Sequence, residues 1–280
     1  MPALKEMEIG VMFWGGHDPG VTVRELKSLG AHCGQIGIPG DMDLGTDARR
    51  AWKEALEVEE FTVVTVFAAF NGEDYADIPT VEKTVGFIPQ GTRAERETRM
   101  LEVSDFAAAL EVPSVATHIG FVPEDQANPN YTAVRDLVRR VCDHSDKHGQ
   151  IFALETGQEP AKTLLHFFAD VGRENLRVNF DPANMILYGT GDPIEALGLL
   201  GPHVVSVHCK DGDWPPPNVP GALGTERPLG QGSVGMERFL LKLRDIGYTG
   251  PLCIEREGVS HEQKLKDIRM GLELLERIRG

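Results

Sequence analysis

The chain has 280 residues, of which 41% are hydrophobic and 25% charged, and this ordinary globular composition is enough for a large buried core. Its formal net charge of −15 would repel a polyphosphate backbone, so we expect no nucleic-acid partner. No stretch reaches the roughly 20 apolar residues that span a bilayer, the first ten residues lack the apolar segment of a secretory signal, and the four cysteines are dispersed, so we expect a cytoplasmic protein with reduced thiols and no membrane partner.

Short β-rich runs alternate with helical patterns along the whole chain. The predicted strands are Glu8–Trp14, His32–Ile38, Thr62–Ala68, Ser114–Ile119, Ile151–Thr156, Leu176–Asp181, Val204–Cys209 and Pro251–Glu255. The predicted helices are Val21–Leu29, Asp47–Glu60, Thr92–Leu110, Tyr131–His148, Ala161–Val171, Pro193–Leu200, Met236–Ile246 and Glu262–Ile278. Eight strands, each followed by a helix, predict an α/β fold, a (β/α)8 TIM barrel in a single domain over residues 1–280.

The last four predicted strands have two faces of different character. One face is small or polar and carries the pairs Ala153 and Glu155, Asn179 and Asp181, Ser206 and His208, and Cys253 and Glu255. The other face is bulky and carries Phe152 and Leu154, Val178 and Phe180, Val205 and Val207, and Leu252 and Ile254. A barrel strand packs one face against the helices and the other inside the barrel. We therefore expect the small or polar set inside.

Each of these interior faces ends in a side chain that can bind a metal. Active sites of such barrels form at the C-terminal ends of the strands, so we expect Glu155, Asp181, His208 and Glu255 at one rim. A single carboxylate at a strand end is commonly a helix cap or an ion-pair partner. Three carboxylates and an imidazole of the same phase instead favour a divalent cation, which accepts oxygen and nitrogen ligands together. Glu257 is an alternative ligand to Glu255. We favour Glu255 because it directly follows the apolar pair at the end of the strand.

The segments ALETGQE, VNFDPANM, VSVHCKD and GYTGPLCIERE resemble the xylose isomerase-like barrels, specifically the sugar phosphate isomerase/epimerase family. That family includes ketose 3-epimerases, hydroxypyruvate isomerases, inosose dehydratases and the related endonuclease IV enzymes. Its metal ligands, at the ends of strands five to eight, fall here on Glu155, Asp181, His208 and Glu255. The resemblance implies one bound divalent metal ion. Three carboxylates and one imidazole favour Mn²⁺, while Mg²⁺, Co²⁺ and Zn²⁺ are compatible.

The resemblance further implies an isomerase or epimerase of a small sugar or hydroxy-ketone, active in carbohydrate metabolism. In the family mechanism the metal holds two oxygens of a hydroxy-carbonyl substrate and stabilises an enediolate. Glu155 and Glu255 would then exchange a proton with the substrate carbon as base and acid. Dimers and tetramers are common in the family, so a homo-oligomer is compatible with the sequence.

Four further residues are the predicted substrate contacts. His118, in THIGFVP, resembles the family's fourth-strand histidine, with a core position as the alternative. Lys210 has the inward phase, with an ion pair to Asp211 as the alternative. Asn184 stands where several epimerases carry a histidine that contacts the sugar, which argues against a ketose 3-epimerase. An amide can still donate and accept hydrogen bonds there, but it cannot shuttle protons. Trp14 ends the first strand and either walls the pocket or packs inside the barrel.

Several alternatives remain open at this point. A metal-dependent lyase or dehydratase on a cyclic polyol, like inosose dehydratase, begins with the same proton abstraction. A barrel that keeps the metal site could also be a non-catalytic sugar-binding protein. The charge and the single histidine ligand disfavour an abasic-site endonuclease. The Pro/Gly-rich loop from Asp211 to Ser233 is either a lid or a fixed wall. Surface or helix positions are expected for His17, His32, His144, His148, His166, His203 and His261.

Overall fold

Eight parallel strands close into a barrel in a computed structural model that describes residues 3–280. The barrel strands are β1 (Ile9–Trp14), β2 (Cys33–Ile38), β3 (Thr62–Ala68), β4 (Ser114–Thr117), β5 (Ile151–Glu155), β6 (Leu176–Phe180), β7 (Val204–Cys209) and β10 (Leu252–Ile254). Between the last two, β8 (Asp211–Asp213) and β9 (Thr225–Arg227) form an antiparallel hairpin. The order around the barrel is β1-β10-β7-β6-β5-β4-β3-β2, so the predicted fold class is confirmed. The first two residues of the predicted domain lie outside the described range.

All eight predicted helices are present, and two short ones are added. The helices are α1 (Pro19–Ser28), α2 (Thr46–Val58), α3 (Ile78–Thr84), α4 (Arg93–Ala109), α5 (Pro129–Asp146), α6 (Ala161–Val171), α7 (Pro182–Tyr188), α8 (Pro193–Leu200), α9 (Met236–Asp245) and α10 (His261–Arg279). The sequence analysis missed α3 and α7, which have seven residues each and are too short to show a helical period. None of the described helices is both long and apolar enough to cross a membrane.

Four helices begin with the same local signal, an Asp or Asn followed by proline. The side chains of Asp18, Asn128, Asp181 and Asp192 each accept a hydrogen bond from a backbone amide of the first turn. The proline that follows fits the first helical position because its fixed φ suits the helix and its missing N–H would have no partner there. For α7 this cap has a functional consequence, because Asp181 is also a predicted metal ligand.

Two apolar layers lie on either side of the barrel wall. The larger one joins strands and helices and contains the fully buried Phe152 and Phe180, as predicted. The smaller one fills the barrel and contains Met12, Phe67, Ala116 and Ala153. Val205 was predicted to face the helices, and this is wrong, because it packs on the inner layer. The cause is a register shift between β6 and β7: Val178 pairs with Val204 and Asn179 with Ser206, so Val205 has no paired residue.

The strands end earlier at the functional rim than predicted. β4, β6 and β10 end at Thr117, Phe180 and Ile254, so His118, Asp181 and Glu255 each lie immediately beyond a strand. Beyond these strand ends the regular pairing with the neighbouring strands stops. Side chains in these positions can point across the barrel opening towards one another, which brings the site together.

Candidate metal centre

The four predicted metal ligands converge at the C-terminal rim of the barrel. Each offers a ligand atom within 4.8 Å of the others, and all four side chains are buried. His208 Nδ1 lies 2.8 Å from Glu155 Oε1, 3.2 Å from Glu255 Oε2 and 3.5 Å from Asp181 Oδ2. One imidazole nitrogen therefore faces three carboxylates. This buried cluster could hold a metal ion.

Asp181 has two oxygens in different surroundings. Oδ1 accepts the 2.8 Å hydrogen bond from Asn184 N that caps α7. Oδ2 is buried and has no hydrogen-bond partner. The backbone on either side is fixed, because Thr156 Oγ1 accepts from Asp181 N and donates to Asp181 O. A buried carboxylate oxygen without a partner is costly, and a divalent cation would satisfy it. The donor set therefore fits a metal ion.

Polar residues inside the barrel orient the imidazole of His208. Its Nε2 lies 3.2 Å from Gln35 Oε1. The amide of Gln35 is held in this orientation because its Nε2 donates to Asn179 Oδ1 at 3.1 Å and to Val207 O at 3.3 Å. A proton on His208 Nε2 would donate to Gln35 and leave the Nδ1 lone pair directed at the carboxylates, which is the tautomer that a metal ligand needs.

Without a metal ion, the ionisable groups of the cluster have shifted pKa values. Burial disfavours ionised Glu155, but His118 and His208 outweigh it and lower the pKa to about 2. For Asp181 burial is the stronger influence and raises the pKa to about 6, although the nearby His208 and the charge of Lys210 oppose the shift. Burial also opposes a charged His208, yet Glu255 and Glu155 raise its pKa well above the usual value. In the metal-free protein a proton on His208 Nδ1 thus occupies the place that a cation would take.

The four predicted substrate contacts all line one cavity of about 540 Å³ above the cluster. His118 Nε2 lies 3.0 Å from Glu155 Oε2, and Asn184 Nδ2 donates to Glu155 Oε1 at 3.2 Å. Burial opposes a charged His118, but Glu155 raises its pKa to about 9. Trp14 Nε1 donates to Glu257 Oε1 at 3.3 Å. Glu257 therefore belongs to the cavity wall.

Lys210 is paired with glutamates of the cavity. Its Nζ donates to Glu255 Oε2 at 3.0 Å and to Glu257 Oε2 at 3.4 Å. Glu226 Oε2 and Asp181 Oδ2 also lie within 4.0 Å of it. The alternative of an ion pair with Asp211 is wrong.

Several cavity residues were missed by the sequence analysis. They include the aromatic side chains of Phe67, Tyr75 and Tyr188 and the aliphatic ones of Leu187 and Leu223. Phe67 has the inward phase of β3 and could have been found from that alternation. Tyr75 and Leu223 lie in loops, where no periodicity shows which way a side chain points.

The segment from Asp211 to Ser233 is anchored on both sides. Glu226 Oε1 accepts hydrogen bonds from Arg256 Nη1 at 2.7 Å and from Glu257 N at 2.8 Å. Gly224 N donates to Leu187 O at 2.8 Å, which ties the segment to α7. These contacts tie the hairpin β8–β9 to the barrel and to α7 beside the cavity.

Residues 23–278 match the family described as xylose isomerase-like TIM barrel, and the chain belongs to that family. A crystal structure of a xylose isomerase domain protein from Planctomyces limnophilus is 43% identical, with a TM-score of 0.93 over 99% of this chain and 98% of that one. The predicted resemblance is thereby confirmed at the level of the family.

More distant structures share the fold. D-psicose 3-epimerase, crystallised in the presence of D-fructose, is 17% identical, with a TM-score of 0.68 over 98% of this chain and all of that one. The probable 3-DHS dehydratase AsbF of Bacillus anthracis is 17% identical, with a TM-score of 0.66 over 95% and 99%. Among curated proteins, "Uncharacterized protein MJ1311" of Methanocaldococcus jannaschii is 26% identical over 174 residues, 58% of this chain and 57% of that relative. The chain thus spans little more than half of that relative.

Proposed function

We propose that the protein is a divalent-metal-dependent isomerase or epimerase that transfers a proton at a carbon atom of a small sugar or hydroxy-ketone. The observation that carries the proposal is the convergence of Glu155, Asp181, His208 and Glu255 within 4.8 Å of one another. Two of these carboxylates, Glu155 and Glu255, also line the 540 Å³ cavity. Epimerases are among the distant structural relatives of the chain, and this supports the proposed chemistry.

The same four side chains would hold the ion. The partnerless Oδ2 of Asp181 and the set of three carboxylates with one imidazole fit Mn²⁺, Mg²⁺ or Co²⁺, and Zn²⁺ is compatible. When bound, such an ion supplies Lewis-acid polarisation of a substrate carbonyl, which acidifies the neighbouring C–H bond.

Glu155 and Glu255 are the proposed proton carriers. Glu255 Oε2 faces His208 and Lys210, whereas its Oε1 accepts no hydrogen bond from the described residues and is the oxygen that would take a proton from a carbon. Glu155 lies across the cluster, with Oε2 held by His118 at 3.0 Å. In an epimerisation one carboxylate would remove a proton from the carbon, and the other, protonated beforehand, would donate a different proton to the opposite face, which inverts the carbon.

The cavity favours an uncharged substrate. Lys210 is the one lysine or arginine that lines it in the described part of the chain, and it already has four carboxylates within 4.0 Å. Glu73 and Glu257 add negative charge to the wall. The phosphate of a phosphorylated sugar would meet this charge while Lys210 and His118 are already paired with carboxylates, so the free sugar is the better fit.

Dehydration of a cyclic polyol is the second candidate, and His118 is the observation that favours it. Elimination needs an acid that protonates the leaving hydroxyl. His118 lines the cavity, and its pKa of about 9, raised by Glu155 against burial, keeps it protonated at neutral pH. The dehydratase among the structural relatives makes this alternative worth testing on the same preparation.

The test is deuterium incorporation from heavy water into a panel of free ketoses, their phosphate esters and a cyclic keto-polyol, with Mn²⁺-loaded protein. We expect exchange at one carbon of a free sugar, reduced at least about 100-fold in Glu255→Gln. Glu54→Gln, an exposed change on α2, serves as the control and should exchange like the wild type. Loss of water from the polyol would move the assignment to a dehydratase. Sugar binding with neither exchange nor elimination would leave a binding protein.

A further inference from the structure

A second cluster of potential metal ligands joins α4 to α5. Asp105 lies near the end of α4, His144 lies in the last turn of α5, and His148 follows one helical turn later. This cluster precedes the start of β5, whereas Glu155 ends β5. The whole length of that strand therefore separates it from the cavity, on the rim where barrels carry stability instead of catalysis.

The two imidazoles present the same nitrogen to the same oxygen. His144 Nε2 lies 2.7 Å and His148 Nε2 lies 2.9 Å from Asp105 Oδ1. All three ligand atoms lie within 4.8 Å of one another. The side chains are 21%, 33% and 40% exposed for His144, His148 and Asp105. Solvent can therefore reach the cluster and complete a coordination shell with water.

We propose that Asp105, His144 and His148 bind a borderline divalent transition-metal ion such as Zn²⁺ or Ni²⁺, which clamps α4 to α5. His144 in the last turn of α5 and His148 in the turn after it present their Nε2 atoms to one oxygen of Asp105, and that carboxylate supplies a third ligand. Two nitrogens and one oxygen favour Ni²⁺, Cu²⁺ and Zn²⁺ over Mg²⁺ and Mn²⁺. This site is independent of the proposed function.

The geometry needs only a small adjustment. Metal–ligand distances of about 2.0–2.2 Å place neighbouring ligands somewhat more than about 3 Å apart. The present contacts of 2.7 and 2.9 Å must therefore open by a few tenths of an ångström, which partly exposed side chains permit.

The backbone that carries the ligands is already held in place. Next to Asp105, Ser104 Oγ donates to Gln150 Oε1 at 2.7 Å and lies 3.3 Å from Ser145 Oγ, and all three of these polar residues are buried. The helices thus meet at fixed positions immediately beside the proposed ligands. A metal ion would order three side chains on this frame and would require no movement of the helices.

The test is a Ni²⁺ titration of chelator-treated protein, followed by calorimetry and by the melting temperature. In the His208→Ala protein, which lacks the imidazole of the barrel cluster, we expect one equivalent bound and a higher melting temperature. Adding His144→Ala should weaken this binding at least about tenfold, whereas adding the exposed control His166→Ala should leave it unchanged.

A second comparison covers the case in which His208→Ala fails to fold. The Ni²⁺ stoichiometry of the otherwise wild-type protein should fall by one equivalent in His144→Ala and in His148→Ala. If both clusters bind Ni²⁺, the number of bound ions falls from two to one in these variants. If the barrel cluster binds no metal, it falls from one to zero. The wild-type stoichiometry therefore shows separately whether the proposed function has failed. Equal stoichiometry and affinity in wild type and His144→Ala would overturn the proposal.

Discussion

At the scale of single residues, the two oxygens of Asp181 have different roles in the candidate metal centre. Its Oδ1 has a structural role as the cap of α7, whereas its Oδ2 is buried without a partner. Burial raises the pKa of this carboxyl from 3.8 to about 6. The native state therefore binds a proton more tightly than the unfolded chain, and stability falls as pH rises through this interval.

Asp181→Asn is expected to stabilise the metal-free protein. Asparagine keeps an oxygen for the amide of Asn184 and removes the charge, so at pH 8 the gain is roughly 3 kcal/mol. The same variant should lose the increase in melting temperature that Mn²⁺ gives the wild type. Thermal unfolding with and without Mn²⁺ measures both. A metal-free variant less stable than the wild type at pH 8 would contradict this account of Oδ2.

Glu159 is a second buried carboxyl, outside the metal cluster. It is 4% exposed, and its Oε1 accepts a 2.9 Å hydrogen bond from Val122 N. Burial raises its pKa from 4.5 to about 7, although the hydrogen bond opposes the shift. Between these two pH values the folded protein holds a proton that the unfolded chain releases. Its contribution therefore weakens stability as pH rises and is fully unfavourable above about pH 7.

Glu159→Gln should therefore stabilise the protein in a pH-dependent way. Glutamine can still accept from Val122 N, and at pH 8 the variant should gain roughly 2–3 kcal/mol over the wild type. The gain should shrink towards zero near pH 4.5. Denaturant unfolding of both proteins at several pH values provides the comparison, and a gain independent of pH would show that charge burial is not the cause.

At the scale of elements, the hairpin β8–β9 depends on one buried carboxylate. Asp211 is 1% exposed and accepts hydrogen bonds from Gly212 N at 2.9 Å, Gly230 N at 2.9 Å and Val234 N at 3.1 Å. These bonds hold the two ends of the segment together beside the cavity. Because Glu226 of this hairpin lines the cavity, a loosened hairpin would also change the cavity wall.

Asp211→Ala should leave two buried amides and one partly buried amide without an acceptor and cost about 3 kcal/mol. Faster amide hydrogen exchange in residues 225–234 should accompany this loss. Asp213→Asn is the matched control on the same hairpin: Asp213 pairs with Arg227 at the surface, and its replacement should cost less than about 1 kcal/mol. If both variants behave alike, the hairpin is not held by Asp211.

The same elements show what the sequence could and could not predict. Long helices such as α4 and α5, and the strands β1 to β7, have enough residues for their periodicity to show, and they were predicted within two residues at nearly every end. The short helices α3 and α7 and the hairpin β8–β9 have no such period. Their positions depend on tertiary contacts, such as that of Gly224 N with Leu187 O, which no local pattern encodes.

At the scale of the whole molecule, the convergence of the four candidate ligands was predictable because barrel geometry relates distant segments. Parallel strands end at one rim, so the inward phase of four strands was enough to group Glu155, Asp181, His208 and Glu255. The orienting role of Gln35, and the partner of Lys210, could not be derived in this way. They depend on which side chains meet across the barrel interior, where several polar residues compete for the same contacts.

The central claim is most directly tested by titrating metal-stripped protein with Mn²⁺ in a calorimeter, with wild type and His208→Ala side by side. Mn²⁺ is chosen because it prefers oxygen-rich sites and so reports on the barrel cluster more than on His144 and His148. The account predicts one equivalent bound to the wild type and affinity weakened by more than about 100-fold in the variant. No binding to the wild type, or equal binding to both proteins, would contradict it.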